Sequence, residues 1–160
     1  MSVRSGIGYD IHPLVDGRPL VLGGVGVPFE KGLSGHSDGD VLIHAVIDAL
    51  LGGAGLGDIG VHFPSSDRSL EGVDSRDLLA RTLRILAGSS WRVTYVDATI
   101  IAARPALRPF MVQMSASLAS SLGFESHQVN LKATTTDGLG SIGRGEGIAA
   151  IAIATLEPAV

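Results

Sequence analysis

The run Ile148-Ala149-Ala150-Ile151-Ala152-Ile153-Ala154 restricts the possible folds more than any other stretch of the chain. A strand presents alternate side chains to opposite faces of its sheet, so a run that is apolar at every position needs cover on both sides. Helices supply one cover in a two-layer α+β protein. With helices on one side only, the other face needs a second chain, and oligomerisation is the expectation. The 160 residues make a single domain, 1–160, large enough to bury a core, and a subunit interface gives its 45% hydrophobic content a further place to go.

The remaining elements follow from turn signals and periodicity. Val3 to His12 reads as the first strand, ended by Pro13 and the turn at Asp16-Gly17. Pro19 to Val27 is β-like but loosened by Gly23, Gly24 and Gly26, and Pro28 to Gly39 is expected to be loop. Ser37 or Asp38 caps a helix from about Asp40 to Leu51, stopped by Gly52-Gly53. After a second loop, Gly55 to Asp67, Ser75 caps a helix in which Leu78, Leu79, Leu83 and Leu86 recur at helical spacing until Gly88. Then come a strand from Trp91 to Ala103, a third helix ending near Gly123, a strand from Val129 to Thr135, a Gly-rich loop from Thr136 to Gly147, and the last strand, Ile148 to Leu156. This order predicts a two-layer α+β sandwich, a mixed four-stranded sheet with helices on one face.

The first strand carries the chemistry. Its period of two sends Asp10 and His12 to the same face, and a helix beginning near Asp40 lets His44 join them, with Asp40 one turn away as its orienting partner. Two imidazoles and a carboxylate are a common zinc set that leaves a fourth position open. An Asp and a His on one strand face also make a plain hydrogen bond, and Asp40 can equally be a carboxylate that favours the helix dipole, the reading preferred for Asp48. With no cysteine in the chain, any metal depends on His and carboxylate. His36 lies beside the helix start, which favours anions, or is simply solvent-facing; nothing in the spacing assigns His62 to a metal, and His127 looks superficial. Lys132-Ala133-Thr134-Thr135-Thr136-Asp137-Gly138 ends a strand with hydroxyls able to donate to phosphate oxygens and a carboxylate suited to a hard cation such as Mg²⁺, although threonine is ordinary in strands. The glycines around Arg144 lack the Gly-Lys-Ser/Thr ending of a phosphate-binding P-loop; they make either a flexible turn or a hairpin that brings a fixed positive charge to an anion.

A net charge of −4 with only twelve scattered Lys and Arg argues against nucleic acid as a partner. No span reaches the roughly 20 apolar residues that cross a bilayer, so no membrane partner is expected. The motif at Gly8 leaves no room for a targeting segment, which makes the cytoplasm the expected location.

Five segments in order resemble the 2-C-methyl-D-erythritol 2,4-cyclodiphosphate synthase family: Gly6-Ile7-Gly8-Tyr9-Asp10-Ile11-His12, Ser34-Gly35-His36-Ser37-Asp38-Gly39-Asp40, Gly57-Asp58-Ile59-Gly60-Val61-His62-Phe63-Pro64, Lys132-Ala133-Thr134-Thr135-Thr136 and Gly143-Arg144-Gly145-Glu146-Gly147. The resemblance implies a homotrimer with sheets packed around a threefold axis and active sites between subunits. It implies Asp10, His12 and His44 as zinc ligands, and His36 and Thr135 as transition-state stabilisers. Asp10, Ile11, His12, His36, Ser37, Asp58, Ile59, Gly60 and Phe63-Pro64-Ser65-Ser66-Asp67 would hold the methylerythritol and phosphate end of the substrate. Ala102-Ala103-Arg104-Pro105-Ala106-Leu107-Arg108 and Ala133 to Asp137, from the neighbouring subunit, would hold the cytidine diphosphate end, with Ser141 and Arg144 completing the substrate contacts. The implied reaction is metal-dependent intramolecular phosphoryl transfer that yields a cyclic diphosphate and CMP, with Zn²⁺ and a second divalent cation, Mg²⁺ or Mn²⁺, as cofactors.

Two positions depart from the family pattern: Asp137 stands where a glutamate usually serves the second cation, and Ser141 where a phenylalanine lines an axial cavity proposed for isoprenoid diphosphates. A zinc hydrolase using the same triad, and a non-catalytic isoprenoid-diphosphate binder, are the rival readings.

Overall fold

In the computed structural model, which describes residues 3–159, the first element is strand β1 (Arg4–Asp16). Strands β2 (Leu20–Leu22) and β3 (Val25–Val27) form a separate hairpin, turned at Gly23-Gly24, where both residues have positive φ. Strand β4 (Lys31–Leu33) then returns to pair antiparallel with the end of β1. Helices α1 (Val41–Ala54), α2 (Ile59–His62) and α3 (Ser75–Ala87) follow, then β5 (Trp91–Ile101), α4 (Met111–Leu122), β6 (Val129–Thr134), the short α5 (Gly140–Gly143) and β7 (Gly147–Pro158).

The sheet order is β4-β1-β7-β5-β6, five strands where four were expected. The additional strand, β4, lies within the segment read as loop, because three residues with a glycine at the centre, Lys31-Gly32-Leu33, carry too little periodicity to announce a strand. The sheet is mixed as expected: β5 and β6 are parallel, joined through α4, and the other pairs are antiparallel. No helix among the described residues is long and apolar enough to cross a membrane.

The cap of α1 also differs from expectation. Asp40, not Ser37 or Asp38, is the N-cap, and the helix continues through Gly52-Gly53 to a left-handed Gly55. The Asp40 carboxylate is fully buried and accepts from the backbone N–H groups of Ile43, Gly23 and Gly24 at 3.1, 2.9 and 2.7 Å. One side chain therefore caps α1 and ties it to the β2-β3 turn. Burial pushes its pKa up to about 6, and the nearby Asp38 charge adds to this, against the pull of the three N–H donors. Asp74, not Ser75, caps α3.

Helix α1 is apolar all round because it is enclosed all round, with Leu42, Ile43, Ile47, Leu50 and Leu51 fully buried. It lies very close to β1. A Cβ on Gly6 would collide with the Ala49 carbonyl oxygen, and one on Gly8 with that of Ala45. Along β1 the residues facing α1 are thus Gly6, Gly8, Asp10 and His12, while Ile7, Tyr9 and Ile11 point to the open face, Ile7 being 70% exposed. On β7, Ala150, Ala152 and Ala154 face the helices and Ile151 and Ile153 are outward. The outward residues align across the sheet: Ile7 pairs Ile153, and Tyr9 pairs Ile151.

Gly8→Ala is expected to destabilise the fold by about 1–3 kcal/mol or more, as overpacking of backbone against backbone does, and to move His44 away from Asp10. Thermal unfolding together with zinc titration checks both; a variant that binds zinc and unfolds as wild type does would show that the contact is not limiting.

Candidate active site

Asp10 and His12 leave β1 side by side, and His44 descends on them from the first turns of α1. Asp10 Oδ2 lies 2.8 Å from His12 Nε2 and 3.0 Å from His44 Nδ1, and the two ring nitrogens are 3.2 Å apart. Ligands at about 2.0–2.1 Å from a tetrahedral zinc stand roughly 3.3 Å from one another, so the donor set and its spacing fit that ion with one position left open. These three residues are the candidate metal cluster among the described residues. Burial pushes the Asp10 carboxyl up, but hydrogen bonds from His12 and His44 and their charge outweigh it and hold Asp10 well below the usual carboxylate range. The hydrogen bond to Asp10 raises His12 above its ordinary value, against the effect of burial.

A cavity of about 240 Å³ opens beside the triad, lined also by His36, Ser37, Ile59, Gly60, Phe63 and Ser65, with Leu70 and Leu78 at its apolar wall. Asp10, already bound to the triad, is the one carboxylate among these lining residues. The loop carrying His36 is held from several sides: Arg18 donates to the carbonyls of Gly35 and Ser37 at 3.0 and 2.7 Å, and Gly72 N–H donates to His36 O. His36 Nε2 lies 2.8 Å from the Asp67 carbonyl, so this histidine is anchored rather than merely solvent-facing. Asp58 caps α2 by accepting from Val61 N–H, and Asp48 accepts from Ile59 N–H at 2.7 Å, fixing the wall of the cavity. Asp48 thus does more than favour a helix dipole. Pro64 and Ser66 do not line the cavity.

The other expected residues form a separate group. Ala102 to Arg108 with Ala133, Thr134 and Thr135 enclose a cavity of about 580 Å³ that shares no residue with the first. Across the sheet, Ile11 pairs Ala149, Ala149 pairs Ile101, and Ile101 pairs Thr134. The threonine end of β6 is therefore level with the triad but three strand spacings away, about 14 Å. Thr135 Oγ and Asp137 Oδ1 are 3.4 Å apart, while Thr136 donates to Leu139 O. Ser141 lies with Ile11, His12, Pro13, Glu146 and Gly147 around a third hollow of about 300 Å³. Arg144 is exposed, ion-paired to Glu146 at 2.6 Å, and lines a fourth with Lys31 and Arg104. His62 Nε2 donates to Leu56 O at 2.8 Å, and His127 is exposed.

Asp40 does not orient His44. It is occupied by backbone donors, and the partners of His44 Nε2 are Ser37 Oγ at 3.0 Å and Ser75 Oγ at 2.9 Å. Ser75 gave no sign of this in the sequence, since a serine at a helix start reads as a cap. Arg18 likewise sits far from any motif.

The profile of the YgbB family matches residues 3–157. The chain is 56% identical over 155 residues, 97% of its length, to the whole of 2-C-methyl-D-erythritol 2,4-cyclodiphosphate synthase of Desulfatibacillum aliphaticivorans. Among solved structures it is similar to a 2C-methyl-D-erythritol-2,4-cyclodiphosphate synthase in a CDP-bound form, with a TM-score of 0.88 and 33% identity over 96% of this chain and 100% of that one. It also matches the bifunctional IspDF of Campylobacter jejuni, with a TM-score of 0.94 and 37% identity over 99% of this chain, though it spans only 43% of that longer protein.

Zinc needs a neutral imidazole, so a proton on His12 competes with the ion. Because the His12 pKa is raised above 6.5, zinc affinity is expected to begin falling above that pH on acidification, the loss from this proton approaching about tenfold per pH unit. Chelator competition between about pH 5 and 8 measures the slope; an affinity flat across pH 6 to 7 would contradict it.

Proposed function

The chain belongs to the YgbB family, and we infer on that premise that it converts 4-diphosphocytidyl-2-C-methyl-D-erythritol 2-phosphate to 2-C-methyl-D-erythritol 2,4-cyclodiphosphate and CMP in isoprenoid precursor biosynthesis. The observation that carries this reading is the Asp10-His12-His44 cluster opening into a cavity with His36 and Ser37. In the reaction an oxygen of the 2-phosphate bonds to the β-phosphorus as the β-phosphorus bond to the oxygen bridging it to the α-phosphate breaks, and that oxygen leaves on CMP with its electron pair. A phosphate monoester with a second pKa near 6 is already largely dianionic at neutral pH, so the attack needs no protein base. The protein's task is to fold an anionic chain back on itself and hold the reacting ends together.

The residues divide that task. Asp10, His12 and His44 would hold zinc, which when bound would supply a Lewis acid for the diphosphate. With Nε2 held on the Asp67 carbonyl, His36 is fixed at the cavity wall, where in this reading it stabilises the transition state. Ser37, Ile59, Gly60 and the Phe63 to Asp67 segment surround the methylerythritol and its phosphates. Ala102 to Arg108 and Ala133 to Asp137 take the cytidine and its phosphates, Thr135 donating to developing charge and Asp137 serving a second divalent cation directly or through water. Ser141 and Arg144 complete the substrate contacts in this reading.

The enzyme is a cytoplasmic homotrimer with each site shared between two subunits. Two observations support this: the triad cavity and the threonine cavity lie about three strand spacings apart in one chain, and the outward Ile7, Tyr9, Ile11, Ile151 and Ile153 form an apolar face needing cover.

Incubation with the cytidyl substrate is expected to release CMP and the cyclic product only with divalent metal present. Linear products that incorporate water would replace this reading with a zinc hydrolase. Asp10→Asn and Thr135→Ala chains, each inactive alone, are expected to regain part of the activity when co-assembled; mixed trimers without any recovery would rule out shared sites.

A further inference from the structure

Behind His44, on the side away from the triad, a short chain of hydrogen bonds leads to a carboxylate. His44 Nε2 is 2.9 Å from Ser75 Oγ, and Ser75 Oγ is 2.5 Å from Asp38 Oδ1. Ser75 N–H donates to Asp38 Oδ2 at 3.0 Å, and Asp40 N–H to Asp38 Oδ1 at 3.0 Å, so the Asp38 carboxylate is held in place by backbone from both sides. Ser75 and His44 are buried, and every buried side-chain nitrogen or oxygen among the described residues has a partner.

The direction of this chain follows from donor and acceptor chemistry. An ionised carboxylate only accepts, so the Ser75 hydroxyl proton goes to Asp38. Ser75 Oγ then offers His44 a lone pair, and His44 must answer with Nε2–H. A neutral imidazole protonated on Nε2 has its free lone pair on Nδ1, the atom that lies 3.0 Å from Asp10 and 3.2 Å from His12. Ser37 Oγ, 3.0 Å from the same Nε2, can donate as readily as accept and so cannot set the direction alone.

We propose that Asp38, acting through the Ser75 hydroxyl, fixes His44 in the Nε2–H tautomer and thereby presents Nδ1 to the metal. Asp38 and Ser75 are positioning residues: neither touches the substrate or the ion. The inference rests on the zinc reading of the triad. It assigns a purpose to Asp38 and to Ser75 that neither has as a helix cap, since Asp40 caps α1 and Asp74 caps α3. Outer partners of ligating histidines commonly change metal affinity by about 10–100-fold.

The test is a double-mutant cycle read as zinc affinity by chelator competition on the intact protein, with Ser75→Ala, Asp38→Ala and the two combined. Each single variant is expected to bind zinc about 10–100-fold more weakly. The combination should be no weaker than the worse single, because Asp38 acts only through Ser75. Ser75→Thr, which keeps the hydroxyl, should recover affinity. Nitrogen-15 spectra of the imidazoles in zinc-loaded wild type should find the His44 proton on Nε2 and Nδ1 as its metal-bound nitrogen, a signature that a merely structural role would not move. Losses that multiply in the double variant, wild-type affinity in both singles, or a wild-type His44 proton on Nδ1 overturn the proposal. If Asp38→Ala does not fold, the Ser75 pair decides: equal loss in Ala and Thr, or loss in neither, overturns it. A wild-type protein that holds no zinc would instead remove the metal reading itself.

Discussion

The close contact between β1 and α1 governs the rest of the structure. Gly6 and Gly8 present no side chain to the helix, and the carbonyls of Ala45 and Ala49 occupy the space that a Cβ would need. The helix-facing edge of β7 continues the same surface with Ala150, Ala152 and Ala154. Only on such a shallow surface does a helix come near enough for a histidine from it to share an ion with two residues of the strand. Metal–ligand distances vary by a few tenths of an ångström, about 0.2 Å, whereas one added methyl group separates backbones by much more. The glycines are thus as much a part of the metal centre as its ligands.

The same alternation has a second consequence. Because Gly6, Gly8, Asp10 and His12 take the helix side of β1, Ile7, Tyr9 and Ile11 are left for the open side. An ordinary two-layer sheet turns its apolar side chains inward, and here the first strand does the reverse. A slip of one residue against β7 would exchange the two sets, exposing the ligands and driving isoleucines into the Ala45 and Ala49 carbonyls, so register is fixed from both faces at once. The metal site and the apolar face proposed as a subunit interface are two sides of one pattern.

How far the sequence made this legible depended on whether a signal was local. The pairing of Asp10 with His12 follows from a period of two, and the apolar run at Ile148 to Ala154 announced that helices could cover only one of its faces. His44 could be placed one helix away because α1 is long and apolar. What failed was assignment across sequence distance. Asp40 stands one turn from His44 and reads as its partner, but it is drawn to the backbone of Gly23 and Gly24, and nothing in the spacing connects those residues. The partner of His44 is Ser75, whose place was decided by where α3 docks on α1. Strand β4 escaped notice for a related reason: its pairing with Leu14 to Asp16 is a long-range choice made by three residues with no pattern of their own.

The charge of the chain completes the argument about the site. A protein of net charge −4 with a cavity whose lining includes one carboxylate and no Lys or Arg is a poor host for a substrate bearing three phosphates. The hydrogen bond between Asp10 and His12 raises the pKa of His12 and helps to lower that of Asp10. Zinc held by Asp10, His12 and His44 would add two positive charges beside the cavity and so favour a phosphate there. Substrate affinity would thereby be tied to metal loading by simple electrostatics, since no Lys or Arg lines that cavity. Arg104 and Arg108 lie with the other half of the proposed site, where the cytidine phosphates would be held.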